Sequence, residues 1–362
     1  MIKLFDPTID KKEKAALLST LKSGFWASGS GSGNVSKFET EFRKYTDSSS
    51  CIAVNSGSAA LHLSLSTENI SKCEVILPSL SFVSTAHAVL LNGATPIFAD
   101  VDEETLCIDP KKIEELITNK TRVVLPVHFG GMPCDLSKIK KICKKNNLLL
   151  VEDAAHASGA TYKHQKIGSH GNLVCFSFHP VKNLAMPTGG LIAVNGKNHK
   201  KISDALKSKR WCGISNRIGP NYDVDKIGWN YYMNEFSAAI GLTQLKKLNK
   251  LNKYRKTIAK YYTKEINLTE KTPFNSDCSY HLYWIRVKNR KEFMQKMQEK
   301  GIETGIHYKP IHQMSLYKTK LQLPITEKIG REIVSIPIHA NLDNSDMDKI
   351  ITNVNRFAKS VK

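Results

Sequence analysis

Hydrophobic and polar positions follow two different periods between about residues 50 and 245. Short runs rich in β-branched residues, typical of buried strands, alternate with segments whose apolar residues recur at helical spacing. Strands are predicted at CIAVN, EVILP, TPIFADV, RVVLPVHF, LLLVED, LVCFSF and GGLIAV. Helices are predicted between them at residues 58–66, 84–91, 110–117, 136–146 and 197–208. This alternation predicts an α/β fold of β-α-β units with a mostly parallel, covered sheet.

The pattern changes after this region. The segment MNEFSAAIGLTQLKKLNKLNKYRKTIAKYYTKEI predicts one or two long amphipathic helices. It is followed by a predicted strand at HLYWIRV, a helix at RKEFMQKMQEKG and a strand at IETGIHY. We therefore predict a large domain over residues 1–250, which includes the N-terminal segment, and a smaller C-terminal α/β domain over residues 251–362.

Composition is ordinary for a soluble globular protein, with 41% hydrophobic and 24% charged residues. The first residues, MIKLFDPTIDKKEK, lack the apolar core of a signal peptide. The most apolar stretch is interrupted by Asn92, Gly93 and Pro96, so it is too short to span a bilayer. We expect a cytoplasmic protein that does not associate with a membrane.

The formal net charge of +20 raises the question of a polyanionic partner. The lysines are scattered over predicted helix faces, and no basic arm, zinc finger or RNP-like motif accompanies them. We therefore expect no nucleic-acid partner, although part of the charge could steer an anionic substrate. None of the eight cysteines forms a pair at metal-ligand spacing, so we expect no metal site.

Candidate chemistry lies where strands end, because ligands of open α/β sheets bind at the carboxyl ends of the strands. A Ser-Gly-Ser turn after the first strand opens a helix, and Gly57 and Ser58 could bind a phosphate there. A simple N-cap role for Ser56 or Ser58 is equally compatible with this pattern. Phe82, after the second strand, could stack on a planar ring or belong to the core.

A second group of candidates follows two later strands. Glu152 and Asp153 end a strongly apolar strand, where a carboxylate needs a partner such as a metal, a ribose hydroxyl or a protonated heterocycle, and His156 lies one turn later. An ordinary helix-capping Asp is the alternative interpretation. Lys182 lies in the loop of FSFHPVKNLAMPTGG, at the same expected edge, with Ser177 near the strand end. A lysine nucleophile, an acid, a stacking aromatic and a phosphate site together suit pyridoxal 5'-phosphate.

The order and spacing of several blocks carry a family resemblance over nearly the whole chain. These blocks are SGFWASGSGSGNVSKFETEF, AVNSGSAALHLSL, LPVHFGGMPCDL, VEDAAHASGA, FSFHPVKN, GWNYYMNEFSAAIGLTQL and GIHYKPIH. The chain resembles the DegT/DnrJ/EryC1/StrS family of pyridoxal-phosphate-dependent sugar aminotransferases. The resemblance implies the aspartate aminotransferase-like fold (fold type I), in which residues 1–250 bind the cofactor.

The resemblance also implies a role for each matched residue. Lys182 matches the lysine that binds the cofactor covalently, and Asp153 matches the acid on the pyridine nitrogen. His156 stands where the family often has Gln, facing the cofactor ring, and Phe82 matches the aromatic that stacks on this ring.

Other matched residues concern the phosphate and the assembly. Gly57, Ser58 and Ser177 match the phosphate site, with Ser58 in place of a more usual Thr. Asn230 matches an Asn that reaches the phosphate from the neighbouring subunit, so the resemblance implies a homodimer with shared active sites.

For the reaction, the resemblance implies transfer of an amino group, with glutamate as the expected donor, to a nucleotide-linked keto-deoxy sugar. His307, Tyr308 and His312 of GIHYKPIH are candidates for contact with the substrate. After Lys182 the family usually reads like TTGEGG, whereas this chain has AMPTGG, so the missing acid and Pro187 change a loop near the expected substrate.

Three alternatives remain at this point. Some relatives carry His in place of the lysine and act as sugar dehydratases, but the presence of Lys182 favours transamination. An enzyme of the same fold could act on a non-nucleotide keto substrate of the amino-cyclitol or aminohydroxybenzoate type. A basic, non-catalytic binding protein would explain the charge, but it would not need Lys182 together with Asp153.

Overall fold

A computed structural model describes residues 1–361, and a seven-stranded sheet forms its centre. The strands are β1 Ser50–Val54, β2 Glu74–Pro78, β3 Thr95–Ala99, β4 Thr121–Val124, β5 Leu149–Asp153, β6 Thr161–Tyr162, β7 Gln165–Lys166, β8 Leu173–Ser177, β9 Gly190–Val194, β10 Ile214–Ile218, β11 Asn221–Val224, β12 Tyr283–Arg286 and β13 Ile333–Ile336. The helices are α1 Lys11–Ser23, α2 Asn34–Thr46, α3 Gly57–Leu65, α4 Ser84–Leu91, α5 Pro110–Leu116, α6 Leu136–Lys145, α7 His199–Arg210, α8 Glu235–Glu265, α9 Arg290–Glu299, α10 Pro324–Glu332 and α11 Asn344–Phe357.

The central sheet has the strand order β1-β9-β8-β5-β4-β2-β3. Its pairs from β8 to β3 are parallel, whereas β9 runs antiparallel to both β8 and β1. All seven strands predicted between residues 50 and 245 are in this sheet, so the prediction of a mostly parallel α/β sheet is confirmed. The chain between β8 and β9, residues 178–189, contains no helix that could cross over the sheet, and it returns along the neighbouring strand so that β9 is antiparallel.

Both faces of the sheet are buried. Adjacent strand residues point to opposite faces and enter two separate hydrophobic clusters: Val124 and Leu150 belong to one, Val123 and Val151 to the other. Helices cover both faces, with α2 packed on one side of β1 and α3 on the other side of the sheet. This double covering explains why the strands read as continuous apolar runs.

The second half of the chain is built around α8. This helix is a single element and continues through residue 250, the predicted domain boundary. Beyond it, β12 and β13 form a two-stranded antiparallel sheet that packs with α9, and α9 also packs with α11. Residues at the start of the chain join this part, because Ile2 pairs with Ile302. The division into residues 1–250 and 251–362 stays a prediction.

The strand predicted at IETGIHY is wrong. In this segment only Ile302 and Gly305 make isolated bridges, to Ile2 and Ser335 respectively. Each residue pairs with a different segment, so no continuous ladder forms. In residues 1–361, no helix has the length and apolarity needed to cross a bilayer.

Candidate active site

A cavity of about 380 Å³ opens at the carboxyl ends of β1, β2, β5 and β8. These strands point the same way, so the residues that follow them converge on one edge of the sheet. Nine of the eleven predicted site residues line this cavity: Gly57, Ser58, Phe82, Asp153, His156, Ser177, Lys182, His307 and Tyr308. The convergence brings together residues that are up to 251 positions apart in the chain, from Gly57 to Tyr308 (308 − 57).

Lys182 is half-buried at the cavity wall, in the loop after β8. Its Nζ makes no hydrogen bond or ion pair with any other residue of the described range 1–361, so it is free to react with a ligand in the cavity. Desolvation by burial lowers the pKa of Lys182 from 10.5 to about 8, and the nearby Asp153 carboxylate opposes this shift. A neutral amine is the nucleophilic form, so the site prepares Lys182 for covalent chemistry.

Asp153 ends β5 and is 4% exposed. Its Oδ2 accepts a hydrogen bond from Thr85 Oγ1 at 2.9 Å, and its Oδ1 accepts one from the Ala155 N–H at 3.1 Å. Desolvation raises the pKa of Asp153, while these hydrogen bonds and the charge of Lys182 oppose the rise. A buried carboxylate of this kind gains most from a cationic N–H partner, which fits a protonated pyridine nitrogen.

The start of α3 lies beside Ser177 in an arrangement that can bind an anion. Ser56 caps the helix by accepting a hydrogen bond from Ala59 N–H at 3.1 Å, and this leaves the N–H groups of Gly57 and Ser58 at the free end. A Cβ added at Gly57 would lie 2.7 Å from Ser177 Cβ, so only glycine allows this approach of α3 to β8. Free N–H groups, the helix dipole and two hydroxyls fit a phosphate.

Phe82 has the exposure that a stacking role requires. Its side chain is 56% exposed at the start of the segment that leads into α4, although large apolar side chains are usually buried. Its ring centroid lies 6.1 Å from that of Tyr308, tilted by 55°. The two rings therefore form an aromatic wall beside the cavity, against which a planar ligand can pack.

His156 and His307 are buried or half-buried near Lys182. Burial and the charge of Lys182 lower the pKa of His156 well below its usual value and that of His307 to about 4. His307 Nδ1 lies 2.9 Å from Ser335 Oγ, while His156 contacts Tyr308. Both imidazoles are therefore neutral at neutral pH and add no positive charge to the cavity.

Two predicted site residues do not line the cavity. His312 is 2% exposed, with Nδ1 2.7 Å from Ser79 Oγ and Nε2 3.3 Å from Glu327 Oε1. His312 thus links the loop after β2 to α10, and we leave this residue out of the proposed site. Asn230 is exposed, and its backbone pairs with Trp211 rather than reaching the cavity of its own chain.

Sequence reasoning missed residues that help to build the site. Thr85 orients Asp153, and its position three residues after Phe82 at the same sheet edge was the available signal. Phe5 lines the cavity, stacked on His281 with centroids 5.4 Å apart. Nothing in the sequence around Phe5 indicates this position, because it depends on how the chain start packs.

Comparison with known proteins identifies the family to which this chain belongs. The model of the DegT/DnrJ/EryC1/StrS aminotransferase family matches residues 7–355, and the chain belongs to this family. The family depends on pyridoxal phosphate, and its solved relatives include pyridoxal- and pyridoxamine-phosphate forms. The predicted cofactor and the predicted aminotransferase fold are therefore confirmed.

Individual relatives cover almost the full chain. The spore coat polysaccharide biosynthesis protein SpsC of Bacillus subtilis (strain 168) is 34% identical over 98% of this chain and 96% of its own length. Helicobacter pylori PseC, an aminotransferase involved in pseudoaminic acid biosynthesis, superposes with a TM-score of 0.92 at 28% identity over 98% of each chain. Spr1654 of Streptococcus pneumoniae, described as a sugar aminotransferase, has a TM-score of 0.93 at 25% identity over 99% of each chain.

Proposed function

We propose that this protein transfers an amino group from an amino acid, with glutamate as the expected donor, to a nucleotide-linked keto-deoxy sugar for amino-sugar or glycan biosynthesis. The observation that carries the proposal is Lys182, a half-buried amine with a lowered pKa and no partner in residues 1–361, in the cavity that Asp153 also lines. The names of PseC and SpsC, which refer to pseudoaminic acid and spore coat polysaccharide, support a sugar substrate.

The residues of the cavity have separate roles in this proposal. Pyridoxal phosphate, when bound, supplies an aldehyde that accepts amino groups and a protonated ring that withdraws electrons. Lys182 Nζ would hold this group covalently, and its free neutral amine would carry a proton to and from the α-carbon of the donor. Asp153 would accept a hydrogen bond from the ring nitrogen, and Phe82 would cover the ring face. Gly57, Ser58 and Ser177 would hold the phosphate.

We also propose a homodimer with shared active sites. Lys182 is the one Lys or Arg side chain that lines the described cavity, so the walls hold no further fixed positive charge for a nucleotide diphosphate or a donor carboxylate. A second subunit can supply such groups at the cavity mouth. Exposed apolar side chains near Asn230 support a partner surface there: Ile218, Tyr222, Val224 and Ile227 are 79%, 59%, 52% and 82% exposed.

The cytoplasm is the proposed compartment. All eight cysteines are free thiols, and six of them are buried. Thiols that stay reduced are typical of proteins in a reducing compartment, and neither catalysis nor metal binding uses them in this proposal.

The cofactor step has a direct test. Purified protein incubated with pyridoxal phosphate should turn yellow, and borohydride should fix the cofactor to the peptide that contains Lys182, as read by mass spectrometry. Lys182→Ala is the matched control and should give no covalent adduct. A wild-type protein that takes up no cofactor would overturn the proposal.

The substrate class needs a second experiment. The protein should be incubated with glutamate and a panel of keto-sugar nucleotides, each paired with the same keto sugar lacking the nucleotide. We expect amine formation, and 2-oxoglutarate beyond the one equivalent per enzyme that glutamate alone releases, only with the nucleotide-linked member of a pair. Equal turnover of both members would contradict the nucleotide requirement while leaving the aminotransferase reaction intact.

A further inference from the structure

Both ring nitrogens of His156 have defined partners. The backbone N–H of Gly130 donates to Nδ1 at 3.2 Å, and Nε2 lies 3.1 Å from the Tyr308 hydroxyl oxygen. Because Nδ1 accepts a hydrogen bond, it carries no proton, and the neutral imidazole must carry its hydrogen on Nε2. His156 therefore donates to Tyr308, and the Tyr308 oxygen is the acceptor of this bond.

The ring of His156 cannot easily turn or gain a proton. It lies between His281, with centroids 4.4 Å apart, and Tyr308, with centroids 6.1 Å apart and planes 19° from parallel. A second proton would have to be placed on Nδ1, where it would face the Gly130 N–H. Burial and the charge of Lys182 act in the same direction, since they lower the pKa of His156.

The hydroxyl hydrogen of Tyr308 is left without a protein acceptor. Its oxygen makes no other hydrogen bond within the described residues 1–361, and Tyr308 lines the cavity. Burial raises the pKa of Tyr308, and the negative charge of Asp153 adds to this effect, so the hydroxyl stays protonated. Because the hydroxyl accepts its hydrogen bond from His156, its own hydrogen is free to be donated to a ligand in the cavity.

We propose that Tyr308 is a fixed hydrogen-bond donor to a ligand oxygen in the cavity, and that His156 is the positioning residue that orients it. The proposal rests on the proposed function, because the oxygen belongs either to the cofactor ring or to the sugar. It excludes a proton relay through His156. A relay would need a proton source on Nδ1, and that nitrogen faces a backbone amide that does not release its hydrogen.

Three variants test the proposal. Tyr308→Phe removes the donor and should weaken binding of the ligand that supplies the oxygen by about 5- to 50-fold. If the oxygen is the cofactor's, the Kd of pyridoxal phosphate rises and the absorbance of the bound cofactor shifts without substrate. If it is the sugar's, the KM of the sugar rises while cofactor affinity is unchanged. No change in either quantity would overturn the proposal.

Two variants of His156 distinguish its proposed role in orienting Tyr308 from a role in filling space. In His156→Gln, the amide oxygen can accept from Gly130 and the amide nitrogen can donate to Tyr308, so binding should stay within about threefold of wild type. His156→Leu keeps the bulk but loses both hydrogen bonds, so it should resemble Tyr308→Phe. Equal losses in the Gln and Leu variants would contradict the orienting role.

A measurement on the protein alone keeps this test separate from the proposed function. Nitrogen-15 NMR of histidine-labelled protein, with His156→Gln for assignment, should show His156 protonated on Nε2 and unprotonated on Nδ1 at pH 7. Tyr308→Phe should shift the Nε2 signal. Protonation on Nδ1 would overturn the inference even if cofactor binding and transamination were normal, and the expected pattern would support it even if the sugar assignment failed.

Discussion

Asp153 and Glu152 are neighbouring carboxyl groups in β5 with opposite surroundings. Asp153 faces the cavity and binds Thr85, whereas Glu152 points to the other side of the sheet, where its Oε2 lies 2.8 Å from His128 Nε2. Sequence reasoning placed an acid at this strand end because an apolar run precedes it. The choice between the two acids came from the family resemblance, since side chains of adjacent strand residues alternate and the buried ligand side is not visible in the sequence.

Asp153→Asn should retain cofactor and lose turnover. The amide cannot supply the negative charge that keeps a ring nitrogen protonated, and loss of such electrostatic support costs on the order of 10²–10³-fold in kcat. The matched control is Glu152→Gln, which alters the adjacent carboxyl group outside the cavity. It should reduce the free energy of unfolding by about 1–3 kcal/mol through its contact with His128, with kcat within about threefold of wild type. Near-normal turnover in Asp153→Asn would refute the assigned role.

Lys182 should react with a pH dependence set by its lowered pKa of about 8. Only the neutral amine adds to an aldehyde, so about half of Lys182 is reactive at pH 8 and about a tenth at pH 7. The rate of cofactor uptake by cofactor-free protein, followed by borohydride trapping at fixed times, should rise with pH through this range.

The same experiment on Asp153→Asn tests whether the Asp153 carboxylate raises the pKa of Lys182. Removal of the carboxylate removes an attraction that raises the pKa of Lys182, so the midpoint should move to lower pH. A wild-type midpoint near 10.5, the value of an exposed lysine, would contradict the desolvated environment.

At the scale of elements, the junction of β1 and α3 shows what local sequence can predict. The Ser-Gly-Ser turn indicated a helix start, and the structure confirms that start at Gly57 with Ser56 as the cap. Because Ser56 is the cap, the N–H groups of Gly57 and Ser58 stay available for the predicted phosphate. The closeness of Ser177 to Gly57 depends on β8, which lies more than a hundred residues away, so no local pattern shows it.

Gly57→Ala should weaken cofactor binding without unfolding the protein. The added Cβ would meet Ser177 Cβ at 2.7 Å and push the start of α3 away from β8. Loss of one charge-assisted hydrogen bond to the phosphate should raise the Kd by about 10- to 100-fold.

Gly24→Ala is the control for this substitution. Gly24 ends α1 with a positive φ of 67° and has open space around it, so alanine there should cost about 1–2 kcal/mol of stability and leave cofactor affinity unchanged. Both quantities can be measured by urea unfolding and cofactor titration. Unchanged affinity in Gly57→Ala would argue against the phosphate site.

At the scale of the whole molecule, the N-terminal segment and the segment around Tyr308 complete the cavity. The N-terminal segment pairs with residues around Ile302 and brings Phe5 to the cavity wall. Tyr308 lies six residues after Ile302 in the chain. Its ring packs against Phe82, which follows β2 at the edge of the central sheet where the cavity opens. A cavity that Phe5 and Tyr308 line together could not be derived from the separate motifs.

Shared active sites predict complementation between two inactive variants. Lys182→Ala removes the reacting amine, and Asn230→Ala removes the side chain expected to act in the partner's site. In a mixed dimer, one of the two sites would have both residues intact, so random mixing after refolding should restore about a quarter of wild-type activity.

Each variant refolded by itself is the control for this mixture and should stay impaired. Activity of the mixture that equals the mean of the two controls would contradict a shared site. Sedimentation of the wild type as a monomer at assay concentration would contradict the dimer itself.

The sequence by itself determined the seven strands of the central sheet, its mostly parallel architecture and the class of cofactor, because buried strands, helix starts and the Lys182 and Asp153 blocks are local patterns. Only the tertiary structure decided which side chains face the cavity. It placed His312 away from the cavity and joined His156 to Tyr308 across 152 residues. The physical reason is that hydrogen-bond partners and burial depend on packing between distant segments, whereas periodicity records only which face of one segment is apolar.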